Sequence, residues 1–344
     1  MLVGILTAMC TMNTLFSIGS RSSSPPPPRA SEIYPRFFEL LPSQTGKVIA
    51  VTGASRGLGY VTALSLAKKG ATVYLLSRKS ERAHEALASI AAAATGPSPV
   101  LIECDLLEFA SVRSAAAQLR EHATDGLDVL CLNAGIMMQP DEASSDGYDI
   151  TISTNVLSQF LLTRELMPEL EKAASAGGGG GEARVVCMSS GSGFGPPALD
   201  VTYFARAGGR LGGQRTSYER YHQSKLANLL FTSSLDERLR ARGSAVKAVA
   251  CTPGVCGTDM FVHVSRLSGR AADLSRVPSA EDGACAQLKA ICDPAVHSGE
   301  LWGPPGLGGP PKLVAIAPPT VLVDADAKER LWACCERAVG AFDL

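Results

Sequence analysis

The sequence carries almost no net charge, has few histidines and lacks the cysteine spacings typical of zinc sites. Its 344 residues include 32 Lys and Arg against 33 Asp and Glu, a formal net charge of -1. The basic residues are scattered rather than gathered in a stripe, so the pattern does not indicate a nucleic-acid-binding face. There are only five His, and the ten Cys form no Cys-x-x-Cys pair, so the spacings typical of zinc sites are missing. We therefore predict no nucleic-acid partner and no metal site.

The cysteines also give no sign of a disulfide framework. Cys104, Cys131, Cys187 and Cys251 lie within short apolar runs that predict strands. In such places cysteine behaves as a small buried hydrophobe. We interpret all ten cysteines in this way, and we do not expect a secreted protein.

The first 44 residues differ in composition from the rest of the chain. Residues 1–31 contain no Asp or Glu and combine an apolar run, residues 2–18, with a Ser- and Pro-rich tract, residues 22–28. The run contains several polar residues and is shorter than the ~20 residues that a membrane-spanning helix needs. A membrane anchor, an organelle transit peptide and a disordered tail all fit this composition. We predict an extension over residues 1–44 and one domain over residues 45–344, and localisation stays open between organelle, membrane-associated and cytoplasmic.

From Lys47 onward, short apolar runs alternate with helix-length amphipathic stretches. This alternation is typical of an α/β fold, a doubly wound Rossmann-type sheet with helices on both faces. Seven parallel strands are predicted, near Val48–Thr52, Thr72–Ser77, Val100–Cys104, Val129–Leu132, Arg184–Ser189, Val246–Cys251 and Leu313–Ala317. The helices are predicted over Leu58–Lys69, Glu81–Ala94, Ser111–His122, Thr154–Ala174, Tyr218–Arg240, Ala280–Ile291 and Ala325–Val339.

A glycine-rich turn follows the first predicted strand and opens the first of these helices. It runs from Thr52 to Gly59 and contains Gly53, Gly57 and Gly59 in a Gly-x-x-x-Gly-x-Gly pattern. Such glycines allow a tight turn, a close backbone approach to a pyrophosphate and close helix–strand packing, while the helix N-terminus stabilises the negative charge. Because the turn lies between a strand and a helix, it predicts a dinucleotide site. The predicted contacts are Gly53, Ser55, Arg56, Gly57, Leu58 and Gly59.

The end of the second strand distinguishes the two nicotinamide dinucleotides. An NAD site usually places Asp or Glu there to accept from the ribose 2′-hydroxyl. This chain has Arg78 instead, and Arg56 lies in the glycine turn. Two guanidinium groups suit a 2′-phosphate, so we predict a preference for NADP(H), with NAD(H) as the alternative. The alternative for Arg78 is that its side chain is merely solvated at the strand end. Asp105 ends the third strand, where it could contact the adenine or cap a helix.

Tyr221 and Lys225 are four residues apart in a predicted helix. Both side chains therefore project from one face, within reach of a common ligand. An ammonium group beside a phenol is expected to lower the pKa of the tyrosine and make it a usable acid and base. Lys225 can also hold the nicotinamide ribose. The pair alone is weak evidence, since chance matches of this spacing are common.

Other polar residues follow the predicted strands at the edge where open α/β sheets bind ligands. Ser190 follows the fifth strand and can donate to a substrate oxygen, although Ser189 and Ser192 are alternatives. Asn133, Ala134 and Gly135 end the fourth strand, beside the expected adenosine half. Asn155 lies in a predicted helix, where Asn costs stability relative to better helix formers. A functional reason or a solvent-facing position explains it equally.

Taken together, these motifs resemble the short-chain dehydrogenases/reductases. The resemblance rests on Thr52–Gly59, Leu132–Gly135, Asn155, Ser190, Tyr221–Lys225 and Pro253–Thr258, and covers about residues 45–340. The stretch Tyr221–Thr232 and the last helix are similar to the retinol dehydrogenase-like branch and to its relative, light-dependent protochlorophyllide reductase. The segment Gly191–Arg220 is longer and richer in Gly than the family pattern.

The resemblance implies roles for individual residues. It implies that Tyr221 donates the proton, with Lys225 as its partner, that Ser190 polarises the carbonyl, and that Asn155 holds a relay water. It further implies that Pro253, Gly254 and Thr258 contact the nicotinamide end and that Asp105 contacts adenine. A homodimer or homotetramer is also typical of the family.

The substrate side is moderately apolar, which suits a lipophilic alcohol, aldehyde or ketone. Packing of these loops on the core is the alternative. The residues concerned are Met260, Phe261, Val262, Val264, Leu267 and Leu274, with Phe194, Leu199, Tyr203 and Phe204 from the Gly191–Arg220 segment. We expect an NADP(H)-dependent oxidoreductase that interconverts an alcohol and a carbonyl. The alternatives are a light-dependent protochlorophyllide reductase-like enzyme, which bound pigment would reveal, and a nucleotide-binding regulatory module without turnover.

Overall fold

The structure, a computed structural model, describes residues 29–176, 181–213, 217–314 and 323–344. Its centre is one sheet of eight strands. The strands are β1 (Val48–Thr52), β2 (Thr72–Ser77), β3 (Val100–Glu103), β4 (Val129–Leu132), β5 (Ala183–Met188), β6 (Val246–Cys251), β7 (Leu301–Gly303) and β8 (Lys312–Leu313). They lie in the order β3-β2-β1-β4-β5-β6-β7-β8. The order of the strands reverses between β1 and β4. The carboxyl ends of these two strands therefore flank the crevice where doubly wound folds bind ligands.

Helices cover both faces of the sheet. Those described are α1 (Tyr34–Leu40), α2 (Gly57–Lys68), α3 (Glu81–Ala93), α4 (Phe109–His122), α5 (Ile150–Ile152), α6 (Ser158–Ser175), α7 (Ser217–Ala241), α8 (Asp259–Leu267), α9 (Ala280–Cys292) and α10 (Ala325–Val339). A π-helical turn, Ser153–Leu157, joins α5 to α6. One apolar core lies between the sheet and α4, α6, α7 and α10, and a second between the sheet and α2 and α9. The doubly wound α/β prediction is therefore confirmed.

The far edge of the sheet differs from the prediction. The seventh parallel strand is Leu301–Gly303, not Leu313–Ala317, and Lys312–Leu313 forms an eighth strand antiparallel to it. Residues 315–317 of the predicted strand lie outside the described residues. The seven-stranded, all-parallel sheet was wrong here because a three-residue strand bounded by Gly299 and Pro304 is too short to produce an apolar pattern.

The described part of the N-terminal extension packs against the domain. The Asp282 carboxylate accepts hydrogen bonds from the Ser31 hydroxyl at 2.6 Å and from the backbone N–H groups of Ile33 and Tyr34 at 3.0 and 2.9 Å. The Tyr34 hydroxyl lies 2.7 Å from that of Ser65. Residues 31–41 thus form part of the folded surface. The boundary at residue 45 stays a prediction, and the anchor, transit-peptide and tail interpretations concern residues 1–28, outside the described residues.

The described residues contain nine cysteines, all buried and unpaired, as their apolar contexts predict. Within the same ranges, no helix combines the length and the apolar character needed to cross a membrane.

Candidate active site

In the glycine turn between β1 and α2, the start of the helix lies very close to the backbone of the turn. Gly53 and Gly57 have left-handed φ angles of 67° and 55°, which residues with a Cβ rarely adopt. A Cβ on Gly59 would lie 2.4 Å from the carbonyl oxygen of Gly53 and 2.5 Å from Nδ2 of Asn133. Turn geometry therefore requires the first two glycines, and helix–strand packing requires the third.

The first turn of α2 has no side-chain cap. Arg56 occupies the N-cap position with an extended backbone, and its side chain makes no capping hydrogen bond. The open N–H groups and the helix dipole suit a pyrophosphate. Ser55 is half-buried in the turn. The Leu58 side chain is directed at Gly283 of α9, so Leu58 has only its main chain to offer a dinucleotide.

The residues after β4 form hydrogen bonds with the end of β1. Asn133 Nδ2 donates to the carbonyl oxygen of Thr52 at 2.8 Å, and the Ala134 N–H donates to the Thr52 hydroxyl at 2.9 Å. A Cβ on Gly135 would lie 3.4 Å from both Asn155 Oδ1 and Lys225 Nζ. Asn133 and Ala134 thus shape the crevice wall, while Gly135 leaves room between the two polar side chains.

Asn155 lies in the π-helical turn, a local irregularity that is frequent at functional sites. Its Oδ1 accepts from the N–H of Ile136 at 2.8 Å, and its Nδ2 donates to the Ile136 carbonyl at 3.0 Å and to the Ser224 hydroxyl at 2.9 Å. Asn155 is fully buried. The solvent-facing interpretation was wrong: the side chain ties the segment after β4 to α7.

Ser190, Tyr221 and Lys225 meet at the carboxyl end of β5. The Ser190 side chain is hydrogen-bonded to the Tyr221 side chain, and its Oγ accepts from the N–H of Ser192 at 3.2 Å. Lys225 Nζ donates to the carbonyl oxygen of Met188 at 2.9 Å and lies 5.8 Å from the Tyr221 ring centroid. The competing hydroxyl, that of Ser189, is buried and donates to the Lys225 carbonyl at 2.9 Å. The structure therefore brings together the three residues that the sequence placed here.

The electrostatics of this group differ from the prediction in one respect. Burial raises the pKa of Tyr221 to about 12, and the hydrogen bond to Ser190 opposes that rise. Burial also lowers the pKa of Lys225 to about 8. The expected lowering of the tyrosine pKa by Lys225 is wrong for this arrangement, because desolvation dominates both groups. Tyr221 is a protonated phenol at neutral pH.

Arginines surround the outer end of the crevice. Arg56 and Arg82 both approach Asp259 Oδ2, with Nη1 distances of 3.1 and 3.4 Å. Arg78 is exposed after β2, and no described residue pairs with its guanidinium. Arg82 and Asp259 were not predicted from the sequence. The position of Arg82, four residues after Arg78, was the available signal, whereas Asp259 joins the arginines only through the fold.

Asp105 forms a turn rather than a helix cap. Its Oδ1 accepts from the N–H of Leu107 at 3.0 Å, and its own N–H donates to Ser111 at 2.9 Å. The cap of α4 is Glu108. The helix-cap interpretation was therefore wrong, and the adenine contact stays a prediction.

The segment after β6 lies against the glycine turn. Pro253 is half-buried. Gly254 has a φ of 71°, and a Cβ there would lie 2.4 Å from the Leu307 carbonyl oxygen. Thr258 occupies the N-cap position of α8 without a side-chain capping bond, and its Cγ2 would lie 3.6 Å from a Cβ on Gly57. Thr258 is thus adjacent to the turn that opens α2.

A small apolar cluster encloses Tyr221. Met137 and Val264 are buried with it, and Met138, Tyr218 and Met260 pack against them. The two methionines after β4 were not predicted as part of the substrate side. In the Gly191–Arg220 segment, Leu199 and Phe204 join the main core, and Phe194 and Tyr203 pack on it. For these four residues the core-packing alternative is the correct one.

The sequence matches known proteins over most of its length. The sequence model of the family described as short chain dehydrogenase matches residues 47–212. Polyprenol dehydrogenase of Mus musculus is 32% identical over 307 residues, which cover 88% of this chain and 86% of that protein. An uncharacterized oxidoreductase of Schizosaccharomyces pombe is 37% identical over 65% of this chain, and human retinol dehydrogenase 11 is 34% identical over 64%. The chain spans 64% of the length of each of these last two proteins.

Solved structures agree with the fold. An uncharacterized protein from Mycobacterium Paratuberculosis superposes with a TM-score of 0.70 and 31% identity, covering 89% of this chain and 98% of that one. The NADPH-bound carbonyl reductase from chicken fatty liver gives a TM-score of 0.55 and 26% identity, covering 75% and 96%. This chain belongs to the short-chain dehydrogenase/reductase family and is an oxidoreductase of the retinol dehydrogenase-like kind, using a nicotinamide cofactor and acting on CH–OH or C=O groups.

Proposed function

We propose that this protein is an NADP(H)-dependent oxidoreductase that interconverts an alcohol and a carbonyl on a lipophilic substrate. One observation carries the proposal: Tyr221 is buried in an apolar cluster, is hydrogen-bonded to Ser190 and lies one helical turn from Lys225. A phenol in that setting is a proton donor that water does not reach freely.

The residues of the crevice fit a dinucleotide. The glycine turn and the N–H groups of α2 would hold the pyrophosphate, Asp105 the adenine, and Asn133–Gly135 the wall beside the adenosine. The segment Pro253–Thr258 would border the nicotinamide. Lys225 has three donor hydrogens and uses one on Met188, which leaves two for the nicotinamide ribose. When bound, the nicotinamide supplies or accepts the hydride.

The protein's own residues handle the oxygen of the substrate. Tyr221, protonated at neutral pH because burial holds its pKa high, donates its proton to the carbonyl oxygen during reduction. The Ser190 hydroxyl offers a second donor to the same oxygen. Asn155 holds the segment after β4 against α7 and so fixes the wall beside them.

Charge favours NADP(H) over NAD(H). The end of β2 carries Arg78 where an acidic residue would accept from a 2′-hydroxyl. Arg56, in the glycine turn, and Arg82, four residues after Arg78, share the carboxylate of Asp259. The solved carbonyl reductase named above is bound to NADPH, which supports the same choice.

The lipophilic substrate is supported by two further observations. The cluster around Tyr221 contains three methionines, Met137, Met138 and Met260, whose unbranched side chains adapt to irregular apolar shapes. Relatives named for polyprenol and retinol are among the similar proteins. We therefore infer a substrate with an isoprenoid-like chain.

Replacement of Arg78 tests the cofactor assignment. The wild-type enzyme should reduce retinal or a long-chain isoprenoid aldehyde faster with NADPH than with NADH, followed at 340 nm. Arg78→Ala should lower kcat/KM for NADPH by about 10- to 100-fold, because a charge-assisted contact contributes about 1.5–3 kcal/mol, and should leave kcat/KM for NADH nearly unchanged. The control is Arg36→Ala, which removes an exposed guanidinium from α1. An equal loss with both cofactors would rule out the 2′-phosphate contact.

A further inference from the structure

A fully buried ion pair lies directly beside the candidate catalytic group. Arg220 Nε is 3.0 Å from Asp149 Oδ2, and both side chains are 0% exposed. Arg220 immediately precedes Tyr221 in α7. Burying two charges costs desolvation energy that their attraction often only offsets, so stability alone is a poor explanation for the pair.

Asp149 acts at the start of the helix that leads to Asn155. Its Oδ1 accepts from the N–H groups of Thr151 and Ile152 at 2.9 and 3.0 Å. It therefore caps α5 while its other oxygen faces Arg220. One carboxylate thus links the helical stretch that carries Asn155 to the helix that carries Tyr221.

Arg220 also holds two loops through the remainder of its guanidinium group. Nη1 donates to the Gly213 carbonyl at 2.9 Å, and Nη2 donates to the Gln139 carbonyl at 3.0 Å. Gln139 Nε2 lies 3.2 Å from His263 Nε2 on α8. The loop after β4 is therefore tied both to α7 and to the helix that bears Met260.

We call residues 206–213 the strap, a short segment that includes Gly213 and contacts the loop between β4 and α5. The Asp141 carboxylate accepts from the N–H groups of Leu211 and Gly213 at 2.8 and 3.0 Å. The Gly208 N–H donates to the Gly147 carbonyl at 3.1 Å. The strap is thus hydrogen-bonded along the loop that runs from β4 to α5, and Arg220 binds its Gly213 carbonyl.

We propose that Arg220 and Asp149 are positioning residues, a buried clamp that sets Tyr221 against the π-helical turn carrying Asn155 and holds the strap on the loop between β4 and α5. The clamp rests on the proposed role of Tyr221, since it acts through that residue and touches neither substrate nor cofactor. A planar guanidinium suits this task because it bonds in three fixed directions at once, which a lysine ammonium does not reproduce.

The test uses the double variant Asp149→Asn/Arg220→Met in the full-length protein. Asn keeps an acceptor for the α5 cap, and with Met it removes both charges, so no unpaired charge is buried. The conservative variant is Arg220→Lys. The matched control is Asp236→Asn/Arg240→Met, which removes an Arg–Asp pair on the same helix where Arg240 is 65% exposed. Five quantities are measured: Tm, NADPH Kd by fluorescence, kcat with retinal, KM for retinal, and the rate of tryptic cleavage after Arg206 and Arg210.

We expect the double variant to bind NADPH within about threefold of wild type and to lose about 10- to 100-fold in kcat, as displaced catalytic groups do. Tryptic cleavage in the strap should accelerate severalfold in the double variant. Arg220→Lys should give a kcat and a cleavage rate between those of wild type and the double variant, and the control variant should match wild type. Unchanged kcat and cleavage in the double variant would overturn the clamp, as would parallel losses of Tm, NADPH binding and kcat. Tryptic cleavage is read without turnover, so it reports on the clamp even if wild type and Tyr221→Phe prove equally active and the proposed function fails.

Discussion

Tyr221→Phe is expected to reduce kcat by about 10²- to 10⁴-fold, the range attributed to a positioned proton donor or acceptor. The substitution removes only the hydroxyl that is hydrogen-bonded to Ser190. The ring keeps its contacts with Met137 and Val264, so the fold and the crevice should persist. The dissociation constant of NADPH should therefore stay within about twofold of wild type, since Lys225 and the glycine turn are intact.

The control for this experiment is Tyr34→Phe. Tyr34 lies in α1, and its hydroxyl is 2.7 Å from the Ser65 hydroxyl. Loss of the Tyr34 hydroxyl should leave kcat unchanged. A Tyr221→Phe enzyme that keeps more than a tenth of wild-type kcat would remove Tyr221 from the mechanism. A loss of NADPH binding in the same variant would show that the tyrosine supports the site rather than the reaction.

Gly59→Ala is expected to disrupt cofactor binding and to destabilise the fold. The added Cβ would lie 2.4 Å from the Gly53 carbonyl oxygen and 2.5 Å from Asn133 Nδ2, so α2 must move away from the turn. That movement also disturbs the bond from Asn133 to Thr52. We expect a loss of about 1–3 kcal/mol in the free energy of unfolding, as for other overpacked positions, and a rise in NADPH Kd of about tenfold or more.

Gly306→Ala is the matched control, because no heavy atom lies within 4 Å of its added Cβ. Its NADPH Kd and denaturation midpoint should equal those of wild type. If Gly59→Ala bound NADPH as wild type does, the close packing of α2 on the turn would not define the dinucleotide site.

The sequence predicted the central part of the fold because each element there has a local signal. Strands β1, β2, β4 and β6 begin and end where their apolar runs do. The strands at the far edge, β7 and β8, are too short for such a signal, and their pairing depends on the Pro- and Gly-rich chain between them. Helix α1 was missed because its partner, Asp282, is distant in sequence. The π-helical turn was missed because a single turn of five residues is too short to produce a pattern of its own.

Some residues of the candidate site also have a local signal in the sequence, and others do not. Tyr221 with Lys225, and the glycine turn, are visible as short spacings within one element. Ser190 follows from its place after a strand. The clamp of Asp149 with Arg220 and the cluster of Asp259 with Arg56 and Arg82 join residues that only the fold brings together. The pKa of Tyr221 was predicted in the wrong direction because spacing shows a neighbouring charge but not the burial that outweighs it.

The most direct test of the central claim is transfer of a labelled hydride. Wild-type protein is incubated with retinal or an isoprenoid aldehyde and with NADPH deuterated at C4, one face at a time, and the product is analysed by mass spectrometry. We expect an alcohol carrying one deuterium at the former carbonyl carbon from one face of NADPH, and less of it from labelled NADH. With Tyr221→Phe the labelled alcohol should form about 10²- to 10⁴-fold more slowly. Bound NADPH without labelled alcohol from either class of aldehyde would contradict the claim.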